Sequence, residues 1–154
     1  MRGLVFRALF RVTNLSDRAI PFGLGWHPHF TASQECRLRM ATRGCTRLDT
    51  EGFSTDLPCD GGDRTFAPRD GAGTWHCRYA HGPAVLDGAG GPMLELRFCS
   101  VTSHVVVHVP PDLSAMAVEP LTHPLHHPER STVQPRKSKS MAVALGIPNR
   151  GSDV

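Results

Sequence analysis

The sequence has no long hydrophobic run, no C-x-x-C pair and no large excess of charge. The apolar start of the chain is interrupted by Arg7, so this run is too short for a signal peptide, and no stretch approaches the length of a membrane span. The formal charge is +3, and the densest basic cluster, at residues 136–139, lacks aromatic neighbours on which bases could stack. We therefore expect neither a membrane nor nucleic acid as a partner.

The cysteines argue against two common kinds of small protein. There are five, an odd number, at Cys36, Cys45, Cys59, Cys77 and Cys99. Because none of them has a paired spacing, neither a disulfide framework nor a zinc knuckle is expected. The cysteine pattern therefore predicts a reducing compartment, the cytoplasm.

No stretch of the chain is typical of an α-helix, because the apolar runs are short, β-branched and broken by glycine or proline. The chain has 15 glycines and 13 prolines without a period, and 40% of its residues are hydrophobic, which is enough for a core. Short strands joined by turns fit this composition better than helices. We predict an all-β fold, a single β-sandwich domain over residues 1–147, with a flexible tail at 148–154.

The apolar and β-branched runs of the sequence predict the positions of several strands. The strongest is SHVVVHV at 103–109, whose β-branched centre predicts a strand buried on both faces. Residues 3–14 and 115–119 are further strands, the second ended by Pro120. We expect a short hairpin at 37–48 with Gly44 near its bend, and a last strand pair within 133–147. The polar stretch 49–73 is expected to be a long loop or a set of short irregular strands.

The chain has nine histidines, and their arrangement allows two kinds of site. His27 and His29 alternate along an extended segment, so both point to the same side. With His123 or Glu119 they could form a three-ligand shell of the kind that zinc or iron accepts. Alternatively, one imidazole and one carboxylate could face each other as a metal-free acid–base pair.

His27 and Glu119 are the candidates for such a pair. Each precedes a proline, which favours an extended backbone at the residue before it. A stiff, extended backbone would aim a short side chain at a substrate. The alternative is that these X-Pro pairs only end strands, and for an isolated His-Pro or Glu-Pro this simpler interpretation is favoured.

Three segments carry motifs that point beyond composition. Residues 14–30, NLSDRAIPFGLGWHPHF, contain an N-x-S-D turn followed by the residues G-W-H-P-H-F. Residues 104–124, HVVVHVPPDLSAMAVEPLTHP, end in V-E-P-x-T-H-P, and residues 133–145 contain a turn before a last strand. In this order the three segments resemble the aldose 1-epimerase (galactose mutarotase-like) family, which usually has a glycine at the position of Arg136.

The resemblance implies a β-sandwich of the large supersandwich type and interconversion of the α and β anomers of an aldose. It implies that Glu119 takes the proton of the C1 hydroxyl and that His27 donates a proton to the ring oxygen, with neither metal nor cofactor. His29 stands where the family more often has an aromatic, which favours a place in the pocket wall. His123 lies in the matching T-H-P element and could orient Glu119 or contact the sugar.

The other histidines have no motif support at this stage. We expect two of them to be exposed in a loop, His126 and His127. The remaining four are interpreted as structural or surface residues: His76, His81, His104 and His108.

Two features of the chain depart from the family. Its members are about twice as long, so the resemblance implies that this chain corresponds to the C-terminal half, without the sugar-contacting Arg and His side chains of the other half. A sugar-binding aspartate of the family has no counterpart in residues 73–79, GTWHCRY, which contain no acidic residue. We therefore expect weak or absent activity of the single chain, and a homodimer or a complementing N-terminal half as partner.

Three hypotheses stay open. The chain is an aldose 1-epimerase acting on a small aldose, a non-catalytic carbohydrate-binding remnant of that fold, or a metal-dependent β-sandwich enzyme that uses the histidines. A hexose-6-phosphate epimerase ranks lower, because no arginine pair flanks the two catalytic motifs to hold a phosphate.

Overall fold

The structure, a computed structural model, describes residues 5–49, 60–125, 127 and 131–148. The regular secondary structure of this part of the chain consists of β-strands, apart from one short 3-10 turn at Pro68–Asp70. The prediction of an all-β fold is confirmed. The strands are β1 (Val5–Thr13), β2 (Ile20–Pro21), β3 (His29–Thr31), β4 (Arg37–Leu48), β5 (Gly62–Phe66), β6 (Gly73–Tyr79), β7 (Ala84–Gly88), β8 (Gly91–Phe98), β9 (His104–Val109), β10 (Ala115–Leu121), β11 (Thr132–Val133) and β12 (Ser138–Gly146).

Ten of these strands form one antiparallel sheet. Its order is β1-β12-β8-β7-β4-β6-β9-β10-β3, and β5 pairs with β4 beside this path. The short strands β2 and β11 pair separately. Strand β1 lies at one end of the sheet, where it pairs with β12 from the other end of the described chain, so the sheet joins residues that are far apart in sequence.

One face of the sheet encloses the hydrophobic core. Leu38, Leu96 and Met116 have no exposed surface, and buried residues from every strand between β4 and β10 belong to the same cluster. Because successive residues of a strand point to opposite faces, the residues on either side of each core residue in its strand lie on the other face. That other face carries the polar side chains discussed below.

Strand β4 replaces the short hairpin that the sequence predicted. Residues 37–48 form one strand, and the register against β6 shifts between Thr42 and Cys45. Gly44 lies at this irregularity with a φ of 141°, a conformation that other residues rarely adopt. The glycine therefore marks a bulge within a strand, and the prediction of a hairpin is wrong.

The described residues contain one disulfide, which the cysteine pattern did not indicate. Cys45 of β4 and Cys77 of β6 are direct partners across the two strands, with Cα atoms 4.0 Å apart, and they form a disulfide. They are separated by 32 residues in sequence, so only the strand pairing reveals that they meet. Cys36 and Cys99 are free thiols, and Cys59 lies outside the described residues.

The first motif segment begins with a buried asparagine. The side-chain amide of Asn14 donates to the carbonyls of Arg18 (2.7 Å) and Val133 (2.9 Å), and its oxygen accepts from the amide of Ser16 (2.9 Å). Asn14 is 1% exposed, so these bonds replace its contacts with water. This side chain therefore ties the turn after β1 to β11.

Arg136 stands in the turn before β12, where the family that the sequence resembles usually has a glycine. Its φ is 58°, in the left-handed region that glycine adopts at little cost. Its guanidinium pairs with the carboxylate of Asp17 at 2.7 Å. The backbone of this turn thus explains the glycine, and the ion pair is a contact that glycine could not make.

Several other expectations can be compared with the structure. The last segment forms two strands as predicted, but β11 pairs with β2, while β12 pairs with β1 and β8. Of the polar stretch at 49–73, residues 50–59 lie outside the described residues, and the rest contains β5 and the 3-10 turn. The predicted tail at 148–154 lies outside them too, except for Pro148. None of the described residues belongs to a helix long and apolar enough to cross a membrane.

Candidate active site

The segment that leads into β3 brings His27 to Glu119. Gly25 forms an isolated bridge with β10, and His29 pairs with Ala117 of the same strand. The residue midway between these two contacts is His27, and it therefore falls opposite Glu119 on β10. Two residues that are distant in sequence meet because one extended segment runs antiparallel to the other.

The prolines that follow the two candidate residues take part in holding these segments together. The carbonyl of Pro120 accepts a hydrogen bond from the amide of Trp26 at 3.3 Å, and the carbonyl of Pro28 accepts one from the amide of Val118 at 3.2 Å. A proline has no N–H to donate, but its carbonyl remains an acceptor. The two X-Pro elements therefore do more than end strands.

His27 and Glu119 are in direct contact. The Nε2 atom of His27 lies 2.9 Å from Oε1 of Glu119, within hydrogen-bond distance. The side chain of His27 is 57% exposed, whereas that of Glu119 is only 15% exposed. Burial raises the pKa of Glu119, and the neighbouring charges of His27 and His29 oppose this rise. A mostly buried carboxylate therefore faces an imidazole that solvent and ligands can reach.

Two residues before His27 fix the path of this segment. At Gly25 a Cβ atom would come within 2.5 Å of the side chain of Leu121, so the close approach to β10 depends on glycine. The ring of Trp26 stacks on Phe6 of β1 with a centroid distance of 6.0 Å and lies 6.4 Å from Phe10. These contacts anchor the segment on the side away from Glu119.

His29 and His123, the two further candidates for sugar contact, have different surroundings. The ring of His29 stacks on that of His27, with centroids 4.8 Å apart. His123 packs against Gly23, where a Cβ would come within 2.1 Å of its Nδ1 atom. Its charge also acts on His104, which places His123 toward that end of the site. Their roles in sugar binding stay predictions.

The sheet register adds histidines that the sequence motifs did not indicate. Two rows of strand partners cross the sheet here: His29, Ala117, His108 and Thr74 form one row, and Glu119, Val106, His76 and Thr46 form the next. Partners across antiparallel strands lie on the same face. His108 and His76 therefore share the face of the His27–Glu119 pair, which the interpretation of them as structural or surface residues missed.

The spacing of the two histidines in β9 is the one feature of the sequence that could have indicated their common face. His104 and His108 are four residues apart in one strand, so they must lie on one face. Nothing in the sequence says that this face also carries Glu119, because that depends on the register between β9 and β10. The expected burial of β9 on both faces is found at its centre, since Val106 on the polar face is 3% exposed and Val107 on the core face is not exposed at all.

His108 is held by a neighbour in its row. Its Nδ1 atom lies 2.8 Å from the hydroxyl oxygen of Thr74 on β6. Burial lowers the pKa of His108 below 6.5, and the charges of His27 and His29 lower it further. The His108 imidazole is therefore neutral at neutral pH and lies close to the candidate pair.

His104 and His76 form a second pair of rings on the same face. Their centroids are 5.0 Å apart, and Nε2 of His76 accepts a hydrogen bond from the amide of Leu125 at 3.3 Å. The pKa of His104 is lowered by burial and then by the charges of His123 and Arg78. The polar face thus carries many imidazoles around one carboxylate.

The described histidines were also candidates for a metal site. Among the residues that the structure describes, no group of three or more His, Cys, Asp or Glu side chains is arranged to hold a metal ion. The arrangement at His27 and Glu119 suits proton transfer between a carboxylate and an imidazole.

A cleft elsewhere on the sheet offers no comparable chemistry. It has a volume of about 770 Å³ and is lined by residues around β4 and β7, among them Arg37, Arg39 and Asp87. Arg39 already pairs with Asp87 at 2.6 Å, which raises the pKa of Arg39. None of its lining residues belongs to the His27–Glu119 pair.

Comparison with solved structures shows that the fold is galactose mutarotase-like. The Slr1438 protein of Synechocystis sp. PCC 6803 matches 93% of this chain and 50% of its own with a TM-score of 0.76 and 20% identity. A galactose mutarotase-like protein of Clostridium acetobutylicum matches 93% of this chain and 52% of its own (TM-score 0.67, 17% identity). A galactose mutarotase related enzyme of Lactobacillus acidophilus matches 97% and 59% (TM-score 0.68, 15% identity).

The likeness is one of fold, and it covers only part of the similar structures. This chain spans about half the length of the structures that it matches. No family model matches the sequence, and no curated protein matches it. The predicted resemblance is thus confirmed at the level of the fold.

Proposed function

We propose that this chain is an aldose 1-epimerase, which interconverts the α and β anomers of a hexose through His27 and Glu119. The observation that carries the proposal is the contact of 2.9 Å between His27 Nε2 and Glu119 Oε1 on a galactose mutarotase-like fold. An acid and a base that touch each other in this way can act on two oxygen atoms bonded to the same carbon.

The reaction needs one proton removed and one proton supplied. In our proposal the carboxylate of Glu119 takes the proton of the C1 hydroxyl while protonated His27 gives its Nε2 proton to the ring oxygen. The C1–O5 bond breaks, its electron pair goes to O5, and C1 becomes an aldehyde. After rotation about the C1–C2 bond, O5 attacks the other face of C1, and the two residues exchange their roles.

The environments of the two residues support these roles. Burial makes the carboxylate of Glu119 a stronger base than an exposed one, because its raised pKa favours the proton-bound form. His27 is exposed enough for a sugar to reach it, and in our proposal the sugar oxygens replace the direct contact between the two side chains. An imidazole is suited to donate and accept a proton near neutral pH.

A non-catalytic sugar-binding protein is the second candidate function. Strand β6 carries Thr74 and His76 on the polar face and no acidic residue, so the family's sugar-binding aspartate has no counterpart there. A pair of catalytic groups without its full set of sugar contacts loses much of the advantage of orientation. Sugar binding without turnover would select this function.

We further propose that the chain acts as a homodimer or with a complementing N-terminal half. In the described part of the chain, β1 lies at an end of the sheet, and its side chains Phe6 and Leu9 are 52% and 71% exposed. An apolar edge strand of this kind favours pairing with another chain. Light scattering after size-exclusion chromatography measures the state directly, and a monomer at all concentrations contradicts the homodimer.

The cytoplasmic location stays a proposal. The Cys45–Cys77 disulfide counts against it, because disulfides persist mainly in oxidising compartments. Mass spectrometry of thiols alkylated directly in cell lysate measures whether these two cysteines are oxidised in the cell. Full alkylation of both would favour a reducing location.

Polarimetry tests the proposed activity. The optical rotation of freshly dissolved α-D-glucose and α-D-galactose is followed with and without the purified chain, with Glu119→Gln and the exposed-site variant His81→Asn as controls. Because several sugar contacts of the family are missing, we expect only a weak acceleration of the decay, which Glu119→Gln abolishes and His81→Asn preserves. A decay at the buffer rate would contradict the proposal, and an acceleration lost on adding a chelator would point to the metal-dependent alternative.

A further inference from the structure

We infer that His108 is a substrate-binding residue of the proposed site, and that its Nε2 atom contacts the sugar substituent at C2 or C5, beside the reacting C1–O5 bond. This inference rests on the proposed function, since it names a contact by which the site would hold its sugar. The sequence motifs gave His108 no such role.

The strand register places His108 next to the candidate pair. In its row it lies directly beside Ala117, and Ala117 lies directly beside His29. Glu119 is two residues along β10 from Ala117, on the same face. With strands about 4.8 Å apart and about 3.3 Å per residue, the backbones of His108 and Glu119 lie roughly 8 Å apart, a distance that suits side chains reaching toward one pyranose ring.

Ala117 lies between His29 and His108 in their row. Its side chain is a single methyl group with no exposed surface, so it projects less than the two imidazoles beside it. A sugar bound at His27 and Glu119 that extends along this row would therefore meet the imidazole of His108 and not Ala117.

The orientation of the His108 ring fixes which nitrogen can meet a ligand. Nδ1 is engaged by the Thr74 hydroxyl at 2.8 Å, on the side of β6. Nε2 is separated from Nδ1 by the Cε1 atom, so it does not face Thr74 and is the ring nitrogen left for a ligand. The charges of His27 and His29 act on His108, which agrees with its proximity to the candidate pair.

The protonation state suits a hydroxyl ligand. Burial keeps His108 neutral at neutral pH, so it offers a hydrogen bond and adds no second cation beside His27. A neutral imidazole and a sugar hydroxyl can each donate or accept, and a preset ring loses little freedom on binding. The contact would increase sugar affinity without taking part in the proton transfer.

Two substitutions separate a role in binding from a role in structure. In His108→Asn the amide can stand in for Nδ1 and keep the Thr74 contact, but nothing replaces Nε2. In His108→Gln the longer amide can reach the position of Nε2, but the Thr74 contact is lost. Binding of D-glucose and D-galactose is titrated by NMR in the Glu119→Gln background, so that Kd is measured without turnover.

We expect His108→Asn to raise Kd about tenfold and His108→Gln to raise it less, because one hydrogen bond is worth about that factor. A purely structural role predicts the opposite order, and an unchanged Kd in His108→Asn likewise overturns the inference. His81→Asn serves as the exposed histidine control, and the dispersion of amide resonances shows which variants fold. If neither His108 variant folds, titration of the His108 ring nitrogens in the Glu119→Gln chain decides: a sugar-dependent shift at Nε2 is expected, and no shift overturns the inference.

The same experiment distinguishes this inference from the proposed function. If the parent chain accelerates no mutarotation but binds sugar in a His108-dependent way, the inference stands and the proposed function fails. If the parent chain turns sugar over and His108→Asn changes neither Kd nor KM, the proposed function stands and the inference fails. Absence of any sugar binding overturns the inference.

Sugars that lack one substituent identify the group of the sugar that His108 contacts. 2-Deoxy-D-glucose lacks the C2 hydroxyl, and D-xylose lacks the hydroxymethyl group on C5. For the sugar that lacks the contacted group, His108→Asn should no longer raise Kd. An undiminished effect on both sugars would overturn a direct contact at these positions.

Discussion

The two faces of β9 and β10 differ in composition although they alternate along the same strands. On the core face, Val107 and Met116 have no exposed surface and pack in the main cluster. On the polar face, His108 contacts Thr74, and Glu119 contacts His27. The core face contributes stability through apolar burial, whereas the polar face holds groups whose burial opposes their charge.

This difference separates two kinds of effect within a few ångströms. A substitution on the core face should lower the free energy of unfolding, and the same degree of change on the polar face should affect activity and leave stability unchanged or higher. The raised pKa of Glu119 shows that burial of its charge outweighs its attraction to the neighbouring histidines. The carboxylate is therefore kept at a cost to stability, which is typical of functional sites.

The largest expected effect is on the polar face. Glu119→Gln removes the proposed base and should reduce mutarotation at least a hundredfold, as loss of a general base commonly does. Its thermal midpoint should equal or exceed that of the parent chain, because a neutral amide replaces a poorly solvated carboxylate. Polarimetry and thermal unfolding monitored by circular dichroism measure the two effects. A large drop in Tm would mean that the His27 contact stabilises the fold.

The matching change on the core face is Met116→Ala. Met116 is fully buried, so truncation should lower the free energy of unfolding by about 3 kcal/mol. Urea unfolding measures this loss, and Met93→Ala is the matched control because Met93 is 42% exposed. Equal losses in the two variants would show that the core face is not the main source of stability.

The disulfide links β4 and β6 on the core face, opposite the face of β6 that carries Thr74 and His76. Replacing Cys45 and Cys77 by alanine should lower the free energy of unfolding by about 3 kcal/mol, because the bond closes a loop with a sequence separation of 32. Reductant should change the urea midpoint of this double variant no more than it changes that of a Cys36→Ala, Cys99→Ala chain that has already been reduced. If the parent chain shows the same urea midpoint with and without dithiothreitol, the bond does not form in solution.

Stability should also depend on pH through the polar face. The pKa values of His104 and His108 are lowered in the folded state, so the unfolded chain binds protons first, and their stabilising contribution is lost as the pH falls below about 6.5. Glu119 acts in the opposite sense, since its raised pKa makes protonation below its folded pKa favour the folded state. The Tm of the double variant that carries His104→Gln and His108→Gln should therefore fall less between pH 7.5 and 5.5 than that of the parent chain. A parallel fall would contradict these directions.

The smallest expected effect lies in the turn before β12. The positive φ of Arg136 costs roughly 1 kcal/mol, and Arg136→Gly removes this strain. The substitution also removes the exposed ion pair with Asp17, which contributes less to stability. We expect a Tm equal to that of the parent chain or slightly higher. Arg136→Ala keeps the strain and loses the pair, so it should be the less stable of the two. Differential scanning calorimetry resolves this order, and the reverse order would show that the ion pair dominates.

The sequence predicted much of the local structure and the two residues of the candidate pair. Strand patterns at residues 3–14 and 103–109 correspond to β1 and β9, because alternation and β-branched runs are local properties. The motifs around His27 and Glu119 singled out these residues through the family resemblance. The hairpin at residues 37–48 was a wrong prediction because a glycine within a bulge resembles a glycine in a turn.

Local patterns could not indicate which strands pair. Cys45 and Cys77 form a disulfide, and His108 lies beside Ala117, only because of the register of β4, β6, β9 and β10. Register is decided by packing of the whole sheet, and a shift of one residue would move each of these side chains to the opposite face.

The amino-acid sequence by itself determined an all-β chain and the identity of an imidazole and a carboxylate, each before a proline. Only the tertiary structure decided that the two meet at 2.9 Å, and that His108 and Thr74 lie on the same face beside them. The physical reason is that alternation along a strand is fixed residue by residue, whereas contact across strands depends on pairings between residues far apart in the chain.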